Sequence, residues 1–458
     1  MSKNGDYTRL LKFVIPISLQ YLMYSLVSAS DAFMLGFLDQ TSLSAVSLAG
    51  QVAFVYFLFP NGFVYGFNVL GAQYWGKGDK LSVSKVLTMT LRYSVIVGVI
   101  FSCVCFFCPK LVMLIFTTDP ELIDAGAGYL RVVSVSYLLS GISQAYFAVL
   151  KVCDRPGLSS LIGSASVVLN IMLNALFIFG LGVVPGMGIE GAALATACAR
   201  VFEVVFSFIA IAACRCPNTG IKYLIKKDET VMNKDYWKYT FPLLINQLGW
   251  GGGVAMYSVI MGHLGNDAVA ANSIASIVRS MVASVCWGIA SAVGIVIGAL
   301  LGSGKLDEAK RLGGKYVRLS IWIGVGSGLV ILSLMPLVMR IVSLTPTASW
   351  YLKGMLLLAS YYIIGNSLNS TIIGGIFPAG GDTKFGMYCD VITLWCVIVP
   401  LGMIFAFLIN APVMVVAFIL TLDEFVKIPV VYKHYMKYEW VKNITRQNGA
   451  GEMGVDKE

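Results

Sequence analysis

Long apolar runs dominate this chain, each closed off by a short polar segment. A helix needs roughly twenty mostly apolar residues to cross the hydrocarbon of a bilayer. Twelve runs satisfy this: residues 10–38, 43–70, 86–108, 129–151, 160–179, 188–213, 236–261, 268–301, 316–339, 351–376, 385–408 and 411–432. A charged stretch, 215–238, parts the first six from the second six. The short alternating strands of an outer-membrane barrel are absent from this pattern. The pattern predicts an all-α integral membrane protein of about twelve transmembrane helices in two six-helix lobes. The N-terminal lobe is 1–214, a cytoplasmic linker 215–235 and the C-terminal lobe 236–438. A polar tail, 439–458, ends in NGAGEMGVDKE and is expected to be disordered.

Composition agrees. Only 12% of the 458 residues are charged and 57% are hydrophobic, where a soluble domain carries about a quarter charged residues. Mean hydropathy is +0.79. The opening MSKNGDYTRLLKF runs into the first helix with no short apolar core and small-residue cleavage site, so the first helix is expected to stay in place as the insertion signal. The net charge of +9 raises the question of a nucleic-acid partner. Its distribution answers it. With the N-terminus inside, the inner segments hold Lys3, Arg9, Lys12, Lys77, Lys80, Lys85, Lys151, Arg155, Arg215, Lys222, Lys226, Lys227, Lys234 and Lys238. In the second half they hold Lys305, Lys310, Arg311, Lys315, Arg318 and Lys384, whereas the outer segments hold only Lys110, Arg340 and Lys353. That is the positive-inside pattern. It places both termini in the cytoplasm of a multi-pass protein of a bacterial inner membrane, with the lipid bilayer as partner and no nucleic acid. Cysteine adds little. Cys103, Cys105 and Cys108 sit in an apolar run and Cys214 and Cys216 at a helix end. A metal site would want His or acidic company, and the chain has only His263 and His434.

The two halves repeat each other. Pro16 opens the first helix in PISLQYLMY and Pro242 opens the seventh in PLLINQLGW. At that offset Gly36 falls on Gly262, Leu38 on Leu264, Ala45 on Ala271, Gly76 on Gly302 and Gly78 on Gly304, with no gap. GKGD (Gly76–Asp79) and GSGK (Gly302–Lys305) each follow the second helix of their half. Six spans per half give both halves one orientation, a parallel repeat about an axis along the membrane normal, which is a secondary-transporter design.

These pieces resemble the multidrug and toxic compound extrusion (MATE) family, and within it the DinF-like branch. The first helix PISLQYLMYSLVSASDAFMLGFLD, the segment GAQYWGKGD, the stretch LNIMLNALFIFGLGVVPGMGIEGAALATACAR over 169–200 and PAGGDTKFG each look like the family's, across nearly the whole chain. The resemblance implies the MATE fold of two six-helix lobes. It implies an antiporter that expels organic, cationic or amphipathic compounds in exchange for Na⁺ or H⁺, as a monomer and with no cofactor. It also implies an ion-responsive site in the N-terminal lobe. Asp31 matches the first-helix aspartate, Asn170 the asparagine of the LN pair and Thr196 the threonine of GAALAT. Asn174 stands where the family pattern has a second aspartate, so one intramembrane carboxylate is missing.

The residues themselves point the same way. An ionised carboxylate inside a bilayer is expensive and is usually paired, protonated or functional, which singles out Asp31. The bland alternative is that it is hydrated at a helix end near Asp39. Asn170 and Asn174 are one turn apart and share a face. With Thr196 they can supply oxygens to Na⁺ beside Asp31, hold a protonated Asp31, or simply bind helix to helix. Arg200 and Glu203 are spaced to pair on one helix or to wall a cavity, and Arg279 lacks a local partner. Aromatic residues can line a cavity for cations, and the candidates are Phe33, Tyr56, Tyr137, Tyr146, Trp250, Tyr257 and Trp287, with Tyr361 behind them. Pro16 is a candidate hinge. In the C-terminal lobe Tyr257 falls opposite Asp31, and Asp390, Asp423 and Glu424 are not expected to couple transport. A lipid or lipid-linked saccharide flippase is the alternative function, kept open by Arg131, Arg200 and Arg279. No catalytic constellation or nucleotide-binding loop points to an enzyme or a primary pump.

Overall fold

The computed structural model describes residues 3–180, 185–219, 230–342 and 344–446. The regular structure among these residues is helical. The N-terminal lobe holds α1 (Lys3–Gly36), α2 (Gln40–Lys77), α3 (Lys80–Phe107), a one-turn helix Pro109–Met113, α4 (Pro120–Val152), α5 (Pro156–Phe179) and α6 (Gly188–Ala213). The C-terminal lobe holds α7 (Thr230–His263), α8 (Asn266–Gly302), α9 (Leu306–Ile341), α10 (Pro346–Ala379), α11 (Thr383–Leu408) and α12 in two pieces, Val413–Leu420 and Asp423–Tyr435. Among the described residues ten helices carry a window long and apolar enough to span a membrane. The other two are α7, whose first turns hold Lys234, Asp235 and Lys238, and α12, which breaks after Leu420 and then carries Asp423, Glu424 and Lys427.

Helices outrun the apolar runs because caps, not hydropathy, set their ends. The α3 helix starts at Lys80 rather than 86. The Asp79 carboxylate accepts from the Ser82 N–H at 3.0 Å and from its hydroxyl at 2.7 Å. The α4 helix starts at Pro120 rather than 129, with Asp119 accepting from the Glu121 N–H at 3.0 Å and proline in the first turn. The repeated glycine motif is a turn: Gly78 (φ 84°) and Gly304 (φ 78°) take left-handed backbone after α2 and α8.

The α2–α3 and α8–α9 turns mark one face of the bundle, called proximal; the α1–α2 and α7–α8 turns mark the distal face. The lobes meet in the proximal half, and the repeat is visible in how they meet. A Cβ on Gly76 of α2 would lie 2.0 Å from the Ala299 carbonyl oxygen of α8. A Cβ on Gly302 of α8 would lie 1.9 Å from the Gln73 carbonyl oxygen of α2. Gly302 is the repeat mate of Gly76, and Ala299 that of Gln73, so one contact occurs twice with the lobes exchanged. Deeper in the bundle the same happens again. Gly62 faces Leu244, and their mates Gly288 and Ser18 face each other, a Cβ on Gly288 falling 2.0 Å from Ser18 Oγ. Small residues allow backbones this close.

Side-chain packing follows the same geometry. One core cluster joins both lobes proximally, with Leu10, Phe67, Phe147, Ile289, Phe377 and Trp440 among its members. Distally each lobe has its own, around Tyr56, Tyr137 and Leu130 in one and around Ile260, Leu356 and Val416 in the other. The molecule is shut at the proximal face and its lobes are packed separately toward the distal face.

The tail corrects the sequence reading. Its polarity predicts disorder from 439, yet 439–446 form a strap across the proximal face. Trp440 is fully buried and stacks on Tyr435 at 5.7 Å. Gln73 of α2 donates to the Lys442 carbonyl at 3.1 Å and accepts from the Ile444 N–H at 2.8 Å, and Asn443 donates to the Gly302 carbonyl at 3.2 Å. Arg446 makes a two-pronged pair with Asp235 at 2.5 and 3.0 Å, and Lys77 donates to its carbonyl. Trp440 and Ile444 give this polar stretch apolar anchors, which its overall polarity hides. Residues 447–458, and Lys222, Lys226 and Lys227 of the expected linker, lie outside the described residues.

Candidate functional site

Three helices of the N-terminal lobe bring the expected quartet together. Asp31 lies inside α1, not at its end, and is half-buried. Asp39 has a separate job as the cap of α2, accepting from the Ser42 N–H at 2.6 Å, and its exposed carboxyl is held below the usual range by the hydrogen bonds from Ser42. The α5 helix presents Asn170 and Asn174, both buried, and α6 presents Thr196. Asn174 Nδ2 donates to Asp31 Oδ1 at 2.5 Å and also lies 3.3 Å from Asn170 Oδ1; Asn170 Nδ2 donates to Thr196 Oγ1 at 3.4 Å. Thr196 Oγ1 is anchored on the Ala192 carbonyl at 3.1 Å.

A track of polar groups continues inward from this quartet. Arg200 sits one turn beyond Thr196 and pairs with Glu203 at 2.7 Å, Glu203 being fully buried. Ser143 donates to the other Glu203 oxygen at 2.9 Å, and the Tyr24 hydroxyl donates to the first at 3.4 Å. The guanidinium lies 5.7 Å from the Tyr24 ring centre. Gln20 joins Tyr24 at 3.4 Å and Ser159 at 3.2 Å. Gln20, Tyr24 and Asp31 share one face of α1, a spacing of four and seven that is visible in the sequence. Arg200 and Glu203 neutralise each other, so Asp31 is the unpaired carboxylate of the track.

The fit to Na⁺ can be tested on these groups. A hard cation wants a shell of oxygens. Asp31, Asn170 and Thr196 offer them, but Asn174 turns its amide nitrogen on Asp31, and its Oδ1 is buried without a partner. As arranged, the set holds a carboxylate through a donor; it does not form an oxygen cage.

The expected cavity residues do not gather. Phe33 is 69% exposed and packs on Phe37. Tyr56 and Tyr137 are buried against each other, ring centres 5.0 Å apart, with the Tyr56 hydroxyl on the Tyr137 carbonyl. Tyr146 packs near Phe208. Trp250 faces Phe54 and Trp287 faces Tyr21, both across the lobe seam. Tyr257 and Arg279 of that set line a cavity within the C-terminal lobe. Helical periodicity cannot tell a cavity wall from a packed core, which is why these assignments scatter. The three arginines behind the flippase alternative scatter as well: Arg131 is exposed, Arg200 is tied to Glu203, and Arg279 lies over the Tyr362 ring at 5.3 Å.

The C-terminal lobe, read from sequence as lacking a coupling site, holds a dense buried network. Lys427 pairs with Asp390 at 2.8 Å and with Glu424 at 3.2 Å. Asn246 donates to Asp390 at 3.0 Å. Asn369 and Asn366 donate to the Glu424 carboxylate at 2.7 and 3.2 Å, and Tyr362 at 3.5 Å. Among the described residues no group of three or more His, Cys, Asp or Glu could hold a metal ion.

Two repeat-related helical lobes, each with carboxylates buried among its spanning helices, define a multi-pass membrane transporter. The chain matches the MatE family over residues 16–176 and 242–404, one stretch in each lobe, and it belongs to that family. It is 21% identical over 449 residues to the uncharacterized transporter YisQ of Bacillus subtilis (strain 168), covering 96% of this chain and 97% of the relative. It is 26% identical over 299 residues to the probable multidrug resistance protein NorM of Rhizobium meliloti (strain 1021), covering 62% of this chain and 61% of that one. Among solved structures it is similar to the Vibrio cholerae MATE transporter VcmN in the bent form, with a TM-score of 0.84, 15% identity and coverage of 97% and 99% of the two chains. It is also similar to a MOP superfamily transporter from Pyrococcus furiosus Vc1 (DSM3638), with a TM-score of 0.83, 18% identity and coverage of 95% and 96%. These likenesses establish the MATE fold.

Proposed function

We propose that this protein exports small organic compounds, cationic or amphipathic, in exchange for protons carried by Asp31. The observation that carries the reading is the Asp31–Asn174 contact within a lobe packed separately at the distal face. An ionised aspartate inside a bilayer is costly, and a hydrogen bond to a charged group returns about 1.5–3 kcal/mol. The donor from Asn174 supports the charged form, and the carboxyl can also be carried neutral, as a carrier that must load and unload requires. With both termini cytoplasmic, the distal side is outside. A proton reaches Asp31 from there, cargo leaves, the lobes rock about the glycine seam, and the proton is released inside. Pro16 supports the rocking. It leaves the Lys12 carbonyl without its helical partner and stands two residues from Ser18 at the seam. The names of relatives such as the probable multidrug resistance protein NorM agree with an organic cargo.

The test is transport in proteoliposomes, with ethidium as trial cargo under an imposed pH or Na⁺ gradient. A pH gradient is expected to drive ethidium and a Na⁺ gradient alone is not. Movement under neither gradient, with lipid scrambling instead, would overturn the reading in favour of a flippase.

The missing second carboxylate makes a sharper point. Asn174→Asp restores it and replaces the amide donor on Asp31 with oxygens. The variant is expected to gain Na⁺-stimulated transport at neutral pH that the wild type lacks. An unchanged Na⁺ response would show that Asn174 does not set the choice of ion.

A further inference from the structure

The charges clustered in the C-terminal lobe, three of them buried and Asp390 and Arg279 half-buried, do not balance. Asp390 from α11 and Asp423 and Glu424 from α12 are three acids, and Lys427 and Arg279 are two bases. Asp423, Glu424 and Lys427 are 8%, 5% and 9% exposed. A net charge enclosed in hydrocarbon is costly, so this cluster calls for one more positive charge. The hydrogen bonds say where it goes. Asp390 is held as an anion by Lys427 and Asn246, and Glu424 by Lys427, Asn366 and Asn369. Asp423 has weaker support: beside a backbone hydrogen bond from Glu424, its Oδ1 is buried without a partner. Asn369, 2% exposed and bonded to Glu424, likewise leaves Oδ1 unpartnered inside the cluster.

The groups facing Asp423 are Tyr257 of α7, Arg279 of α8, Tyr362 of α10, and Glu424 and Lys427 of α12, with Asp390 of α11 on the far side of its bond to Lys427. None supplies the missing charge, since Arg279 and Lys427 are already counted. A sodium ion needs a whole shell of oxygens. A proton needs only the orphaned oxygen. A cavity opens close by. Thr421, two residues before Asp423, lines a cavity with Tyr257, Asn272, Ser276 and Arg279 on the distal side of the lobe, with about 640 Å³ of empty space including its mouth. The Tyr257 hydroxyl there is buried and unpartnered.

We propose that Asp423 is a second proton-binding group, separate from Asp31, which holds a proton in this state and exchanges it through the distal cavity of the C-terminal lobe. It sits at the break in α12, where the helix restarts, beside Glu424, whose carboxylate Asn366 and Asn369 hold. Exchange at Asp423 neutralises or charges the cluster that ties α7, α10, α11 and α12 together.

The experiment is pH-difference infrared spectroscopy on the full chain in lipid bilayers, with isotopically carboxyl-labelled aspartate. A protonated-carboxyl carbonyl band that responds to pH and shifts with the label is expected to remain in Asp31→Asn and to vanish in Asp423→Asn. In Asp423→Glu, which keeps the acid if the asparagine variant fails to fold, the band is expected to lose its sensitivity to labelled aspartate and acquire one to labelled glutamate. A band absent from the Asp31→Asn protein would overturn the proposal. So would a band that survives both changes at Asp423 and disappears in Asp390→Asn or Glu424→Gln. Loss of a separate band in Asp31→Asn reports on Asp31 alone, so the two assignments stand or fall independently.

Discussion

Asp31→Asn is expected to abolish gradient-driven transport, lowering ethidium movement to that of protein-free liposomes, while the protein still inserts and folds. Asparagine keeps the volume of Asp31 and can still accept from Asn174 Nδ2, now at 2.5 Å from the carboxylate. The packing of α1 on α5 is therefore spared, and only the group that alternates between charged and neutral is lost. Removing an intramembrane charge relieves a burial cost and gives up the charge-assisted bond from Asn174, so thermal stability is expected to stay near that of the wild type while transport is lost. Melting of the purified protein and uptake in proteoliposomes, measured on the same preparations, check the pair of effects. Wild-type transport by the variant would remove Asp31 from the mechanism without touching the fold. A variant that neither transports nor folds would make Asp31 a structural residue.

The second large effect is at the seam between the lobes. Gly302→Ala and Gly76→Ala are expected each to prise the proximal face apart and to do so by similar amounts. A methyl at either position falls about 2 Å from a backbone carbonyl oxygen, Gln73 in one case and Ala299 in the other. A backbone oxygen on a packed helix cannot swing aside as a long side chain can. Overpacking a tight contact costs typically about 1–3 kcal/mol, and here separating the lobes relieves it. The readout is the distance distribution between spin labels at Lys77 and Lys305, the residues just beyond the two contacts. Both variants should shift it outward relative to wild type. Gly326→Ala is the control, because nothing lies within 4 Å of its added methyl. Equal responses in all three proteins would mean the seam yields without opening.

How much of this is legible in the sequence depends on the kind of signal. The twelve helices follow from apolar runs, and the seam is implicit in the repeat, because a motif that recurs at fixed offset must make its contacts twice. Asp31, Asn170, Asn174 and Thr196 come together on α1, α5 and α6 as the resemblance implies. The inner track escapes the sequence reading at Gln20, Tyr24 and Ser143, although the first two share Asp31's face of α1. The C-terminal network escapes it for a different reason. Its members come from α7, α10, α11 and α12, and neither the α10 set Tyr362, Asn366 and Asn369 nor the α12 set Asp423, Glu424 and Lys427 shows in sequence that it meets the other. The helix that carries the α12 set is broken at Thr421 and Leu422, and a broken helix dilutes the pattern that would mark those charges as buried.

The strap over the proximal face gives the transport cycle a clock. It extends α12 of one lobe, yet Gln73 and Lys77 of the other hold it. Parting the lobes there breaks those bonds, and at about 1 kcal/mol for each hydrogen bond the shut state is favoured by a few kcal/mol before any ion or cargo arrives. In the proposed cycle an idle molecule is therefore expected to rest shut on the proximal side, and release of the strap is a step that every opening of that face must include.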